Sequence, residues 1–300
     1  MKYLVTGGAG FIGSHLVEKL LFEGNKVIVV DDLTTGKMEN LPHNDNLDVW
    51  VTSIMADNDE IYKKVDVVFH LAALTRPQVS ILHPEESTEV NVQGTLKVIR
   101  NCISNGVKRL VFVSSSSLYG DQETFPESET ATPNCISPYA LTKLVGEQYC
   151  KLYEKLDGLN YNVVRPFNVY GTRQSIDGGY GAAVPKFIEA LKLGNPGEIT
   201  GDGEQRRDFT YIDDVVDLII KTAETKVHGE VFNAGAGHNY SINELYNTVC
   251  KVIGKEIPPK YVPAVIEPHM TLADTLKAWN LLGWRPKVSL EEGLRRTIWG

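Results

Sequence analysis

Short runs of apolar, mostly β-branched residues recur along the chain, separated by segments with helical spacing of apolar positions. The runs are KYLVT, KVIVVDD, VDVVFHLAA, KRLVFVSSS, YNVVRP and EVFNAG. Near-continuous apolar strands suit a parallel sheet that is covered on both faces, and the segments between them supply the cover. The pattern places helices at about Ile12–Glu23, Thr88–Ser104, Pro138–Leu156, Tyr180–Leu193, Ile212–Thr225 and Ile242–Ile253. It predicts a doubly wound α/β fold. After Pro166 the rhythm breaks into loops rich in Gly and Asp, GTRQSIDGGYG and GNPGEITGDGEQRRD, then the proline-rich GKEIPPKYVPAVIEPHM. Two short helical patterns around Ala278 and Leu294 close the chain. These later segments predict a second, smaller α/β unit lying over the strand ends.

Composition narrows the function. Hydrophobic residues make up 42% and charged ones 23%, as in an ordinary globular protein. A net charge of −8, with no Lys/Arg run, argues against nucleic acid as a partner. Any anionic ligand must be held by local devices. Cys102, Cys135, Cys150 and Cys250 form no C-x-x-C pair or zinc-site spacing, so no metal is expected and a reduced, cytoplasmic protein fits best. The start MKYLVTGG reads as neither signal peptide nor anchor, and no apolar run approaches the roughly 18 residues a bilayer requires.

The first strand runs into TGGAGFIGSH, with Gly7, Gly10 and Gly13 at a strand-to-helix turn. Such a turn admits a pyrophosphate close to the backbone, facing a helix N-terminus. Asp31 follows at the end of the second strand, 18 residues beyond Gly13. A carboxylate there suits ribose hydroxyls and repels a 2′-phosphate, which favours NAD over NADP. In SPYALTK, Ser137 is a good N-cap and Pro138 suits the first helical position, so Tyr139 and Lys143 share one helix face.

Together, TGGAGFIGSH, VFVSSSSLYG, SPYALTK, RPFNVYG, GDGEQRRDFTYIDDV and TLADTLKAWNLLGW resemble the extended short-chain dehydrogenase/reductase superfamily, and within it the NAD-dependent nucleotide-sugar 4-epimerases. The resemblance covers nearly the whole chain. It implies a Rossmann NAD-binding domain of residues 1–166 plus about 208–235, and a substrate-binding domain of 167–207 and 236–300. It implies Tyr139 as general base, Lys143 as its positive partner and Ser115 as hydrogen-bond partner of the reacting oxygen; a tyrosine in that role needs a lowered pKa. Cofactor contacts fall on Gly7, Gly10, Phe11, Ile12, Gly13, Asp31, Asp32, Leu33, Ile54, Leu71, Ala72, Ala73 and Asn91, with Tyr139 and Lys143. Substrate contacts fall on Asn168 and Arg207 at the diphosphate, Glu267 at the nucleoside ribose and Thr271 at the sugar. Arg206 reads equally as a surface residue, while Tyr119 and Tyr170 read as pocket lining or core. Three positions depart from the family pattern: Ala264 stands where many relatives carry a phosphate-binding Arg, Ser53 where an Asp touches adenine, and Thr75 where some have a Lys.

The resemblance also bears on the reaction. Relatives that dehydrate or decarboxylate carry carboxylates just after the strand-end Ser or Thr, where this chain has Ser116 and Ser117. Cys135 and His70 do not suggest the acid–base pair of a 3,5-epimerase. The implied activity is 4-epimerisation of a UDP-hexose through a 4-keto intermediate, with UDP-glucose and UDP-galactose as the pair. A small residue at Thr271 leaves room for the acetamido group of UDP-GlcNAc and UDP-GalNAc. The alternatives are a UDP-glucuronate 4-epimerase and, from another class, a non-catalytic NAD-sensing binding protein. Relatives commonly form homodimers, which the resemblance implies here.

Overall fold

In the computed structural model, residues 1–75, 77–176, 183–265 and 267–300 are described, with only the backbone for Pro77. The central sheet is built from β1 (Lys2–Thr6), β2 (Lys26–Asp31), β3 (Leu47–Val51), β4 (Val67–His70), β5 (Arg109–Val113), β6 (Tyr161–Pro166) and, after the short strands given below, β11 (Glu230–Ala234). Their order is β11-β6-β5-β4-β1-β2-β3, and every pairing is parallel. Alternate residues face opposite cores. Tyr3 and Val5 of β1 join one buried cluster with Leu16, Val17 and Leu20, whereas Leu4 joins another with Val98, Ile99 and Cys102. Burial on both faces explains why these strands read as unbroken apolar runs. β3 is the exception: an edge strand, exposed or half-buried along its length, that contributes no such run.

The helices are α1 (Phe11–Phe22), α2 (Pro77–Leu82), α3 (Pro84–Thr88), α4 (Thr95–Ser104), α5 (Pro138–Asp157), α6 (Ala183–Lys192), α7 (Ile212–Glu224), α8 (Ile242–Ile253), α9 (Leu276–Leu282) and α10 (Leu290–Trp299). The expected Thr88–Ser104 helix is composite, because a π-helical stretch, Glu89–Gly94, joins α3 to α4. The expected start at Tyr180 of the helix ending near Leu193 lies outside the described residues. None of the described helices is long and apolar enough to cross a membrane.

Beyond β6 the described residues form three two-stranded ladders. β7 (Val169–Tyr170) pairs with β10 (Thr210–Tyr211), β9 (Arg206–Arg207) with β12 (Tyr240–Ser241), and β8 (Glu198–Thr200) with β13 (Lys260–Val262). Between them the chain returns to the central sheet as β11, beside β6. The order of the main sheet reverses between β1 and β4, and in open α/β sheets ligands bind outside the carboxyl ends of strands at such a switch point.

Candidate active site

A cleft of about 1700 Å³ opens at that switch point and runs from the end of β2 to the loops after β13. Every cofactor, substrate and catalytic residue expected from the sequence lines it, with one exception, Asn91.

At one end lies the glycine turn. Gly7 has φ +70°, and a Cβ there would fall 2.7 Å from the Ala72 backbone nitrogen. At Gly13 it would fall 2.1 Å from the Gly7 carbonyl oxygen, so only glycine lets α1 start this close to β1. α1 begins without a side-chain cap, which leaves first-turn amides for an anion. Asp31 accepts from the backbone N–H groups of Ala9 and Leu33, both at 2.9 Å. Burial raises its pKa against those hydrogen bonds. Each oxygen keeps a lone pair for a ligand hydroxyl. The uncapped turn and this carboxylate fit a dinucleotide.

In the middle lies the candidate reaction centre. β5 delivers Ser115, which caps the short turn Ser116–Tyr119 by accepting from the Ser117 N–H at 3.1 Å. Ser137 caps α5 by accepting from the Ala140 N–H at 3.2 Å, and Pro138 occupies the first turn, as the sequence predicts. Tyr139 is buried, and the lowered pKa its role requires is not met by the protein alone. Burial pushes the phenol up to about 12, and a hydrogen bond with Ser115 pulls the other way. Lys143, 4% exposed, donates to the Val113 carbonyl oxygen at 2.8 Å and sits 5.1 Å from the centre of the Phe112 ring. Burial lowers its pKa to about 8, with Glu147 opposing.

At the other end, Arg207 is paired with Glu267 at 2.7 Å, so two residues expected at different parts of a nucleotide hold each other. Thr271 is buried, and its hydroxyl oxygen accepts from the Asn168 amide at 3.1 Å and the Asp208 N–H at 3.2 Å. The Asn168 amide also donates to the Asp208 carbonyl, which spends both hydrogens. Asn168 lines the cleft, and with its side-chain hydrogens so engaged it has its amide oxygen left for a ligand. Ala264 lines the cleft and supplies no charge.

Asn91 needs a larger correction. Its amide accepts from the Leu74 N–H and donates to the Leu74 carbonyl and the Thr142 hydroxyl. It is buried behind the cleft, where it fixes the Leu74 backbone. Arg206 has the structural role, bonded to Asn239 and Glu244. Tyr119 and Tyr170 are core, bonded to Asn233 and Leu290. His70 is buried between the Thr6 and Thr95 hydroxyls, and burial lowers its pKa to about 3. Three residues that the sequence did not single out shape the site. Ser80 accepts from the Tyr139 N–H at 3.0 Å, Arg173 lines the cleft paired with Glu18, and Glu127 backs the wall beside Thr271. Their roles depend on partners 59, 155 and 145 positions away, which no local spacing signals.

The parallel sheet and its switch-point cleft define a Rossmann-type protein. The chain belongs to the NAD dependent epimerase/dehydratase family, whose sequence model matches residues 3–235. It is 39% identical to the Thermotoga maritima UDP-glucose 4-epimerase solved with UDP-glucose, over 99% of this chain and 97% of that one, with a TM-score of 0.94. It is 37% identical to the UDP-N-acetylglucosamine 4-epimerase of Methanobrevibacter ruminantium M1, solved with UDP-N-acetylmuramic acid (99% and 96% covered, TM-score 0.96). It is 34% identical to the Bacillus cereus UDP-glucuronic acid 4-epimerase, solved with UDP-glucuronic acid and NAD (99% and 98% covered, TM-score 0.93).

Proposed function

We propose that this protein holds NAD in the cleft and epimerises a UDP-hexose at C4, with UDP-glucose and UDP-galactose as its pair. The observation that carries the reading is that Ser115, Tyr139 and Lys143, one helical turn on, line the same cleft as the glycine turn and Arg207. NAD, when bound, supplies the acceptor and then the donor of a hydride at C4. Tyr139 takes the C4 hydroxyl proton and later returns it, Ser115 bonds the C4 oxygen, and the Lys143 charge favours the phenolate. Arg207 meets the diphosphate, for which its forked guanidinium is suited, and Glu267 the ribose. The Asn168 oxygen accepts from a ligand hydroxyl. In this reading, residues 1–166 with about 208–235 form the cofactor unit, and 167–207 with 236–300 hold the substrate.

Ser116 and Ser117 at the end of β5 provide no carboxylate for dehydration or decarboxylation, which supports epimerisation alone. Thr271 is small, so UDP-GlcNAc and UDP-GalNAc also enter. The likeness to a UDP-glucuronic acid 4-epimerase favours a second reading, in which the C6 carboxylate is recognised. Turnover of the UDP-hexose, UDP-acetamidohexose and UDP-glucuronate pairs by wild type and Thr271→Tyr tests the reading. The variant should lose the acetamido activity selectively. An unchanged activity ratio removes Thr271 as the gate, and turnover of UDP-glucuronate alone favours the second reading.

A further inference from the structure

The cleft wall that carries Thr271 has no helix or continuous strand from 271 to 274, so its backbone must find partners elsewhere. All four N–H groups are accounted for. Thr271 donates to the Arg206 carbonyl at 3.0 Å and Ala273 to the Asp208 carboxylate at 3.1 Å. The other two go to Glu127: Leu272 donates to its carboxylate at 2.8 Å, and Asp274 to its carbonyl at 3.0 Å. The Glu127 N–H completes the set by donating to the Leu272 carbonyl at 2.7 Å.

Glu127 is 1% exposed, and its second carboxylate oxygen is buried without a hydrogen-bond partner among the described residues. A buried carboxylate with one oxygen unsatisfied is costly where a neutral side chain would fill the space. Burial, with Asp208 nearby, raises its pKa to about 7, and Arg207 opposes. Glu127 is also braced from behind. Its carbonyl accepts from the Asn233 amide, Asn233 accepts from the Tyr119 hydroxyl, and Tyr119 accepts from Arg165. Arg165 in turn grips Glu147, one turn beyond Lys143 on α5.

We propose that Glu127 is a positioning residue of the sugar site: its carboxylate fixes Leu272 and so sets how deeply Thr271 meets the substrate. This rests on the C4-epimerase reading above. Asp208 holds the next residue and the Thr271 hydroxyl, so the two acids clamp the wall from behind without touching the ligand.

The test is calorimetric binding of UDP-glucose to the NAD-loaded protein, alongside KM and kcat, for wild type, Glu127→Ala and Glu127→Gln. Glu127→Ala leaves the Leu272 N–H unpaired and should weaken binding and raise KM about tenfold, with kcat within about threefold of wild type. Glu127→Gln keeps an oxygen for Leu272 and should restore both. Unchanged binding in Glu127→Ala, a loss confined to kcat, or a folded Glu127→Gln as weak as Glu127→Ala would overturn the proposal. If Glu127→Ala does not fold, Glu127→Asp withdraws the carboxylate by one methylene and takes its place with the same expected outcome. Because binding is read apart from turnover, a wild type that binds UDP-glucose without epimerising it sinks the proposed function and leaves this test intact.

Discussion

Lys143 carries its charge where charge is disfavoured, under the Phe112 ring and behind β5. Burial lowers its pKa, so the ammonium is complete well below pH 8 and is lost as pH rises through about 8. The rate constant kcat, followed from pH 6.5 to 10, should be flat on the acid side and fall above about pH 8; a flat profile to pH 10 would remove Lys143 from the chemistry. Tyr139→Phe deletes the proton acceptor and leaves the glycine turn intact, so it should retain bound NAD and lose a factor of about a hundred or more in turnover. Single-turnover rates and the cofactor absorbance of the purified variant check both halves. At this scale the sequence was legible where a role rests on local spacing. Tyr139 and Lys143 declare themselves one turn apart, and Gly7, Gly10 and Gly13 declare the phosphate turn. Asn91 and Asn168 did not, because which of their amide hydrogens are free depends on Leu74, Thr142, Asp208 and Thr271, distant in sequence.

Among elements, α5 links the fold to the site. Its first turn is held by Ser137 from its own chain end and by Ser80 from α2, two side chains for two buried N–H groups. Ser137→Ala should cost about 1 kcal/mol, the usual worth of an N-cap, measurable as a lowered denaturation midpoint. Ser80→Ala should cost a comparable amount and also lower kcat, since its partner is the Tyr139 backbone; unaltered kcat would make α2 a mere neighbour. The buried strands and α5, α7 and α8 were readable because their patterns are unbroken. β3 was not among the apolar runs because it lies at a wet edge, and the π-helical turn within Glu89–Gly94 leaves no mark that separates it from an ordinary helix.

For the whole molecule, exposed leucines on α5 make the proposed pairing of subunits testable. Leu152 and Leu156, 45% and 64% exposed, lie one turn apart, with Leu141 also exposed about three turns before Leu152. If these leucines meet a second copy, the protein should elute as a dimer, and Leu152→Glu should shift its light-scattering mass toward 33.3 kDa; a wild-type monomer would contradict the pairing. The parallel sheet was inferable from the chain's rhythm, whereas the way Arg207, Glu267 and Thr271 converge depends on two-residue ladders too short to register as strands. The central claim is tested most directly by incubating purified, NAD-loaded protein with UDP-galactose and the other UDP-sugars and resolving the products by chromatography or NMR. The expected result is interconversion of UDP-galactose and UDP-glucose with no net change in bound cofactor, and the contradictory one is NAD-loaded protein that interconverts none of them.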